Sequence, residues 1–377
     1  MDVREQRVQF VVAASRGEKS FGRLCEEFEI SRPTGYLWMK RYRAEGLAGL
    51  VEHSRRPTRQ GRQLSEQLEQ RVEQVRRQYP DWGARKLQDV LSKHGVELSH
   101  GTIHRVLLRR GLVQKQATGK RSWQRFEREQ PNQLWQMDFK GPKNWPQPTA
   151  PLSVLDDHSR YLIVLQTGRD MTGETVREQL EGAFGECGLP DGMLMDHGSP
   201  WWGQQSPCGL TVFSLWLMRQ GIRLYYSGVA HPQTQGKVER HHGSLQRAAV
   251  LRQAPAEGLQ PWLDNYRWEH NHVRPHQGLQ MKTPASLWHP SKRRYDPNPP
   301  AWQYAEGAWV RKLDHEGSLD IEGKKWHISA ALCRERIQII AMQRRLMVYY
   351  CSTLIRELDQ DTQRSTIVGR WIRKPAK

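Results

Sequence analysis

Three acidic side chains stand in distinctive settings: Asp138 in Trp135-Gln136-Met137-Asp138, Asp196 in Met195-Asp196-His197-Gly198-Ser199-Pro200, and Glu239 in His231-Pro232-Gln233-Thr234-Gln235-Gly236-Lys237-Val238-Glu239-Arg240. If they converge, their oxygens form a pocket for divalent cations. Hard carboxylate ligands suit Mg2+ or Mn2+, which bind through few carboxylates, several waters and a substrate phosphate. Two such ions roughly 4 Å apart activate an attacking oxygen and stabilise a leaving one in an in-line displacement. Any one Asp or Glu is ordinarily a solvated or ion-paired surface group. Only the joint setting makes a site.

The charge of the chain says what such a site would act on. Its 377 residues carry 58 Lys and Arg against 40 Asp and Glu, a net charge of +18. A polyanionic partner is the simplest reading, and double-stranded DNA fits it. Residues 1 to 132 hold 27 Lys and Arg against 16 Asp and Glu, so the excess is loaded toward the front, as expected of a DNA-binding region. Five scattered cysteines (Cys25, Cys187, Cys208, Cys333, Cys351) include no C-x-x-C pair, which argues against a zinc or disulfide framework and for a reducing, cytoplasmic setting. The opening residues are charged and no run approaches the roughly 18 apolar residues of a membrane span, so a soluble chain is expected.

The elements that must carry these residues follow from periodicity. Residues 3 to 46 read as three short helices, the third capped by Ser31, with a tight Glu29-Ile30-Ser31 connection that suggests a helix-turn-helix. Arg32, Thr34, Lys40, Arg41 and Arg43 would then face phosphates or base edges. The pattern repeats in kind after an Arg55-Arg56-Pro57 linker: Leu64 to Tyr79, Gly83 to Lys93, and a helix capped by Ser99 that offers Thr102, Arg105 and Arg109. Lys115 to Arg128 is polar and basic with Trp123 and Phe126 interleaved, and Lys120 and Arg121 are expected to track the phosphate backbone.

Next come three adjacent strands (134–141, 152–157, 161–166), a helix (172–187), a short strand (192–195), a helix (212–219), a strand (223–226) and two helices (235–252, 260–272), a mixed α/β layer. On this reading Asp138 lies mid-strand, Asp196 at a strand end, and Glu239 on a helix, where Lys237 and Arg240 would face a phosphate. Asp156 and Asp157 are expected to orient a hairpin turn. Trp201 and Trp202 are expected to pack in the core, with stacking on an unpaired base as the alternative. His241, His242, His270, His272 and His276 are read as helix-surface groups or phosphate contacts. After a Pro-rich linker at 291–300, strands at 309–313, 318–321, 325–328, 337–341 and 346–350 suggest a small all-β, barrel-like region.

From about residue 20 to 290 the chain resembles the retroviral-integrase-like insertion-sequence transposases, the DDE group with an RNase H-like core. The resemblance is carried by Trp135 to Asp138, Val154 to Tyr161, Asp196 to Pro200, His231 to Arg240, Asn271 to Leu279 and Thr283-Pro284-Ala285. It implies Asp138, Asp196 and Glu239 as ligands of two Mg2+ or Mn2+ ions, a front end that recognises terminal inverted repeats, and a homo-multimer that holds both ends. His197 departs from the family's usual Asn. The 42 residues between Asp196 and Glu239 exceed its usual spacing, with Trp201 to Leu210 as the expected insertion.

The expected architecture is therefore multidomain α+β: helix-turn-helix modules at 1–56 and 57–114, a basic linker at 115–132, an RNase H-like core at 133–290 and a C-terminal β region at 291–377. The expected activity is end cleavage and joining of 3′-hydroxyls to target DNA. A regulator that kept the DNA-binding modules without catalysis, and a structure-selective nuclease of the same core fold, are the alternatives.

Overall fold

The computed structural model describes residues 3–51, 64–113, 127–141, 145, 150–203, 209–227 and 235–367. The chain divides into two units, Met1–Ser65 and Glu66–Lys377. Lys120 and Arg121, the expected backbone-tracking pair, lie outside the described residues.

The first unit is the expected three-helix module: α1 (Val3–Arg16), α2 (Phe21–Glu27) and α3 (Arg32–Glu45). Ser31 stops the preceding chain and starts α3 by accepting the Thr34 amide at 3.3 Å, with Pro33 in the first turn where no amide hydrogen is needed. Phe10 is fully buried, with Phe21, Phe28 and Trp38 meeting it edge-on. Burying a ring of this size stabilises by about 1.5–3 kcal/mol. Gly35 lets α3 approach, because a Cβ there would come within 2.8 Å of the Phe10 ring and 3.0 Å of the Cys25 sulfur.

The second unit opens with α4 (Glu66–Gln78), α5 (Ala84–Lys93) and α6 (His100–Arg109). Val72, Val75, Leu87, Leu91, Ile103, Val106 and Leu107 recur at helical spacing and are buried together. Ser99 caps α6 by accepting the Thr102 amide at 3.1 Å.

A five-stranded sheet follows, in the order β3-β2-β1-β4-β5, built from β1 (Trp135–Phe139), β2 (Leu152–Asp156), β3 (Leu162–Gln166), β4 (Gly192–Met195) and β5 (Arg223–Tyr226). β1, β2 and β3 pair antiparallel; β4 pairs parallel with both β1 and β5. Strand alternation sends Trp135, Met137 and Val154 to one face, where they pack with α7 (Gly173–Cys187) and α8 (Val212–Arg219). Leu155, Leu162 and Leu165 line the other face against α9 (Gly236–Leu251) and α10 (Leu259–His272). Gln136 and Asp138 alternate with Trp135 and Met137, so they face the α9 side.

The C-terminal region is all-β, as read from its sequence. β6 (Val310–Lys312), β9 (Arg336–Met342), β10 (Arg345–Tyr350), β11 (Thr353–Asp359) and β12 (Arg364–Ile367) form a sheet in the order β12-β11-β10-β9-β6, and β7 (Ser318–Ile321) pairs with β8 (Lys324–His327) as a hairpin. Leu346, Val348 and Tyr350 belong to the same apolar cluster as Trp135 and Phe184. The Pro-rich 291–300 segment is strapped to the α/β layer: the Arg293 guanidinium donates to the carbonyls of Pro190, Gln220 and Gly221, and the Leu189 amide donates to the Arg293 carbonyl at 2.8 Å.

A buried ion cluster ties the α4–α5 turn to the helices behind the sheet. Asp81 accepts Arg252 at 2.5 Å and Arg274 at 2.6 Å, and Arg252 also pairs with Glu269 at 2.7 Å. Burial opposes ionisation of Asp81, but Arg274 and Arg252 overcome it and hold its carboxyl below the ordinary 3.8. A carboxyl depressed on folding contributes its full stability above its unfolded pKa, and that share is lost as the pH falls through the lower folded value. The second unit should therefore weaken below about pH 4. Asp81→Asn is expected to cost about 3–5 kcal/mol at neutral pH by taking the anion from buried Arg274 and leaving Arg252 with Glu269 alone, and to flatten that acid limb, both read by denaturant melts across pH.

Candidate active site

The three carboxylates come from three elements whose arrangement follows from pairing and alternation. In the parallel β1–β4 pair, Trp135 sits beside Met193 and Gln136 beside Leu194; the same register carried two residues on sets Asp138 beside Asp196. Across β1's other edge Asp138 pairs with Ser153. α9 lies on the face to which Asp138 alternates. It presents Glu239 at an exposed position and buries Val238, His241, His242 and Leu245.

Electrostatics record the convergence. Burial, then the charges of Asp196 and Glu239, push the Asp138 carboxyl up to about 7, against the hydrogen bond from the Phe139 amide and the nearby Lys140 ammonium. Among the described residues no three His, Cys, Asp or Glu side chains are already drawn into a group that could hold a metal ion. The donor set is nonetheless hard oxygen from three acids whose charges reach Asp138, which burial and that repulsion drive toward its neutral form. A divalent cation would relieve that repulsion, so the residues fit such an ion.

Asp196 is oriented from its own turn. Its Oδ1 accepts the Gly198 amide at 2.8 Å and the Trp201 indole NH at 2.6 Å. A Cβ on Gly198 would fall 2.9 Å from that oxygen, so the turn needs glycine for close approach. Trp201 is buried and stacks on Phe139 at 5.3 Å, which supports its core reading and adds a role the sequence did not suggest. The signal available was its place five residues after Asp196. Trp202 packs edge-on against His197 at 4.5 Å, and burial lowers the His197 pKa despite Asp196. Residues 204–208 of the expected insertion lie outside the described residues, as do His231 to Thr234.

His242 was read as a surface group and is buried instead. Its Nε2 lies 3.1 Å from the Ser153 hydroxyl and its Nδ1 3.7 Å from Asp138 Oδ2. Burial, with Lys140 beside it, pushes its pKa down to about 3, so the ring is neutral and no ion pair forms. His241 and His270 are likewise buried between α9 and α10 and His276 is half-buried beside His270, all three with pKa values lowered chiefly by desolvation. Neutral, enclosed rings do not meet phosphates, which corrects the reading of His241, His242 and His270; His272 is exposed.

Lys237, expected to face a phosphate, points inward: its ammonium lies 2.6 Å from Asp157 Oδ1 and donates to the Asp157 carbonyl at 2.8 Å. Burial lowers its pKa to about 8, with Asp157 opposing the shift. Arg240 is exposed. Asp156 holds the hairpin as expected, accepting the Ser159 amide at 2.7 Å and hydroxyl at 2.6 Å. Asp157 instead reaches across to α9.

In the helix-turn-helix modules Arg32, Lys40 and Arg43 are exposed and Arg41 is half-buried. The Thr34 and Thr102 hydroxyls bond to their capping serines at 2.8 and 2.9 Å. Arg105 is exposed and donates to Thr102 at 3.3 Å. Arg109 is paired with Glu69, so its guanidinium is shared with an acid of α4.

Residues 128–232 and 220–284 match the integrase core domain family, residues 6–58 a helix-turn-helix domain, and residues 34–107 a homeodomain-like domain. An insertion element IS407 uncharacterized 31.7 kDa protein of Burkholderia multivorans is 22% identical over 258 residues, 65% of this chain and 88% of the relative. The chain is also similar to the HTLV-2 integrase catalytic core domain in complex with magnesium, at 18% identity and a TM-score of 0.33 over 42% of this chain and 97% of that one. The simian T-cell lymphotropic virus intasome structure gives 16% identity and a TM-score of 0.35 over 75% of this chain and 97% of that one. The chain thus carries integrase core domain matches behind helix-turn-helix domain matches and has a relative from an insertion element, a combination consistent with an insertion-sequence transposase.

Proposed function

We propose that the protein is a DNA transposase that binds the terminal inverted repeats of its element, cleaves at the ends and joins the freed 3′-hydroxyls to target DNA. The observation that carries this reading is the β1–β4 register that sets Asp138 beside Asp196, with Glu239 on the facing helix, in a chain of net charge +18; burial first, and then the charges of Asp196 and Glu239, raise the Asp138 carboxyl to about 7. Those three carboxylates would hold two Mg2+ or Mn2+ ions; when bound, the ions supply activation of the attacking oxygen and neutralisation of the leaving one.

The chain's own residues set the geometry around that chemistry. Trp201 and the Gly198 amide fix one oxygen of Asp196. The neutral His242 fills the space between Ser153 and Asp138 without adding positive charge. Lys140 places a cation near Asp138, and Arg240 is exposed one residue beyond Glu239, where it can meet a DNA phosphate. The helix-turn-helix modules would supply end recognition through Arg32, Thr34, Lys40, Arg41, Arg43, Thr102, Arg105 and Arg109, with the basic 115–128 segment along the backbone. A homo-multimer would bring two ends together on one target.

Asp138→Asn, Asp196→Asn and Glu239→Gln are each expected to abolish joining of end-sequence oligonucleotides while leaving end binding intact, and chelation of divalent ions should do the same. Full joining by any one variant removes that residue from the site; cleavage without joining favours a nuclease, and metal-independent binding with neither favours a regulator. Binding itself should weaken by about 10³- to 10⁵-fold between 50 and 200 mM salt if six to ten phosphates are contacted, which a titration of labelled end DNA measures.

A further inference from the structure

Asp157 is fully buried although it belongs to none of the three carboxylates above. Its Oδ1 receives the Lys237 ammonium at 2.6 Å and the Gln136 side-chain amide at 2.7 Å, its Oδ2 the Arg128 backbone amide at 2.7 Å, and its carbonyl the same ammonium at 2.8 Å. Gln136 then closes the loop: its side-chain oxygen accepts the Val238 amide at 3.3 Å, one of the first-turn donors of α9 that no carbonyl of the helix can satisfy. Two members of this network share elements with the candidate active site. Gln136 lies two residues before Asp138 on the same face of β1, and Lys237 lies two residues before Glu239 on α9.

We propose that Asp157, Lys237 and Gln136 form a polar clamp that sets the first turn of α9 against β1 and so fixes Glu239 relative to Asp138. The proposal rests on the transposase reading for its functional consequence. A buried ion pair adds little net stability compared with apolar side chains of equal volume, and its attested use is to select one register of packing. Here the alternative registers are concrete. A helix that slid or turned on an apolar surface alone would keep Val238 and Leu245 buried while carrying Glu239 away from Asp138. Directional bonds to both a strand residue and the following hairpin remove that freedom. Lys237 and Asp157 are thus positioning residues, acting through Glu239 rather than on DNA.

The test uses the full chain with Lys237→Met and Asp157→Asn; the second keeps the shape and an acceptor oxygen, so it remains informative if the first fails to fold. Turnover in joining an end oligonucleotide at saturating DNA and Mg2+ is expected to fall by about 100-fold, the scale associated with a 1 Å misplacement, while KM for the oligonucleotide stays unchanged. Hydrogen exchange of the amides of residues 238–242, measured without metal, should quicken in both variants, and the double variant should lose no more turnover than the worse single one. Unchanged turnover with unchanged exchange overturns the clamp, as does a raised KM with turnover intact, which would make Lys237 a phosphate contact. If the wild-type chain joins no ends, the transposase reading fails, and the exchange comparison alone decides whether the clamp exists.

Discussion

The parallel pairing of β1 with β4 at the centre of the five-stranded sheet is the constraint from which the candidate site follows. Antiparallel neighbours would run their C-terminal ends in opposite directions and keep Asp138 and Asp196 apart. Parallel neighbours in the observed register bring both to the same end of the sheet. Such a pair needs a crossover, and the hairpin β2–β3 followed by α7 provides it. Alternation along β1 then decides the face: the residues that bury Trp135 and Met137 against α7 and α8 turn Gln136 and Asp138 toward α9.

Crowding acids in this way is unfavourable, and the surroundings show how the fold accommodates it. Burial, and after it the neighbouring acids, raise the Asp138 carboxyl to about 7, and Asp196 is steadied by two donors from its own turn. The histidines near α9 are kept neutral by burial, so they neither offset the acids nor compete for phosphate. Lys237 is committed to Asp157, which leaves the Lys140 ammonium as the cation beside Asp138. Positive charge there is outnumbered by the acids, the condition in which a divalent ion gains most.

The helix that carries Glu239 is held at both ends. At its start it meets β1 through Gln136, and just past its end Arg252 meets Asp81 in the turn between α4 and α5. The second helix-turn-helix module is therefore joined to the α/β layer by buried ionic contacts within the unit that runs from Glu66 onward. The Pro-rich 291–300 segment shows the same effect: its composition reads as a free linker, yet Arg293 caps carbonyls of two neighbouring loops.

Much of this was legible in the chain itself. Apolar alternation and helical periodicity are local properties, so the strands at 192–195 and 223–226 and the helix at 212–219 were read to the residue, and Ser31 and Ser99 announced their helices by capping chemistry that spans three residues. The motifs around Asp138, Asp196 and Glu239 singled out those acids for the same reason. β11 and β12 went unread because Thr353 to Ile367 mixes charged residues through its apolar ones, and only pairing with β10 makes it a sheet. The partners of long charged side chains were decided by tertiary structure alone. Lys237 as a helix-surface cation and Lys237 as the buried counterpart of Asp157, 80 residues away, have the same sequence; what separates them is whether the fold brings a desolvated anion within reach.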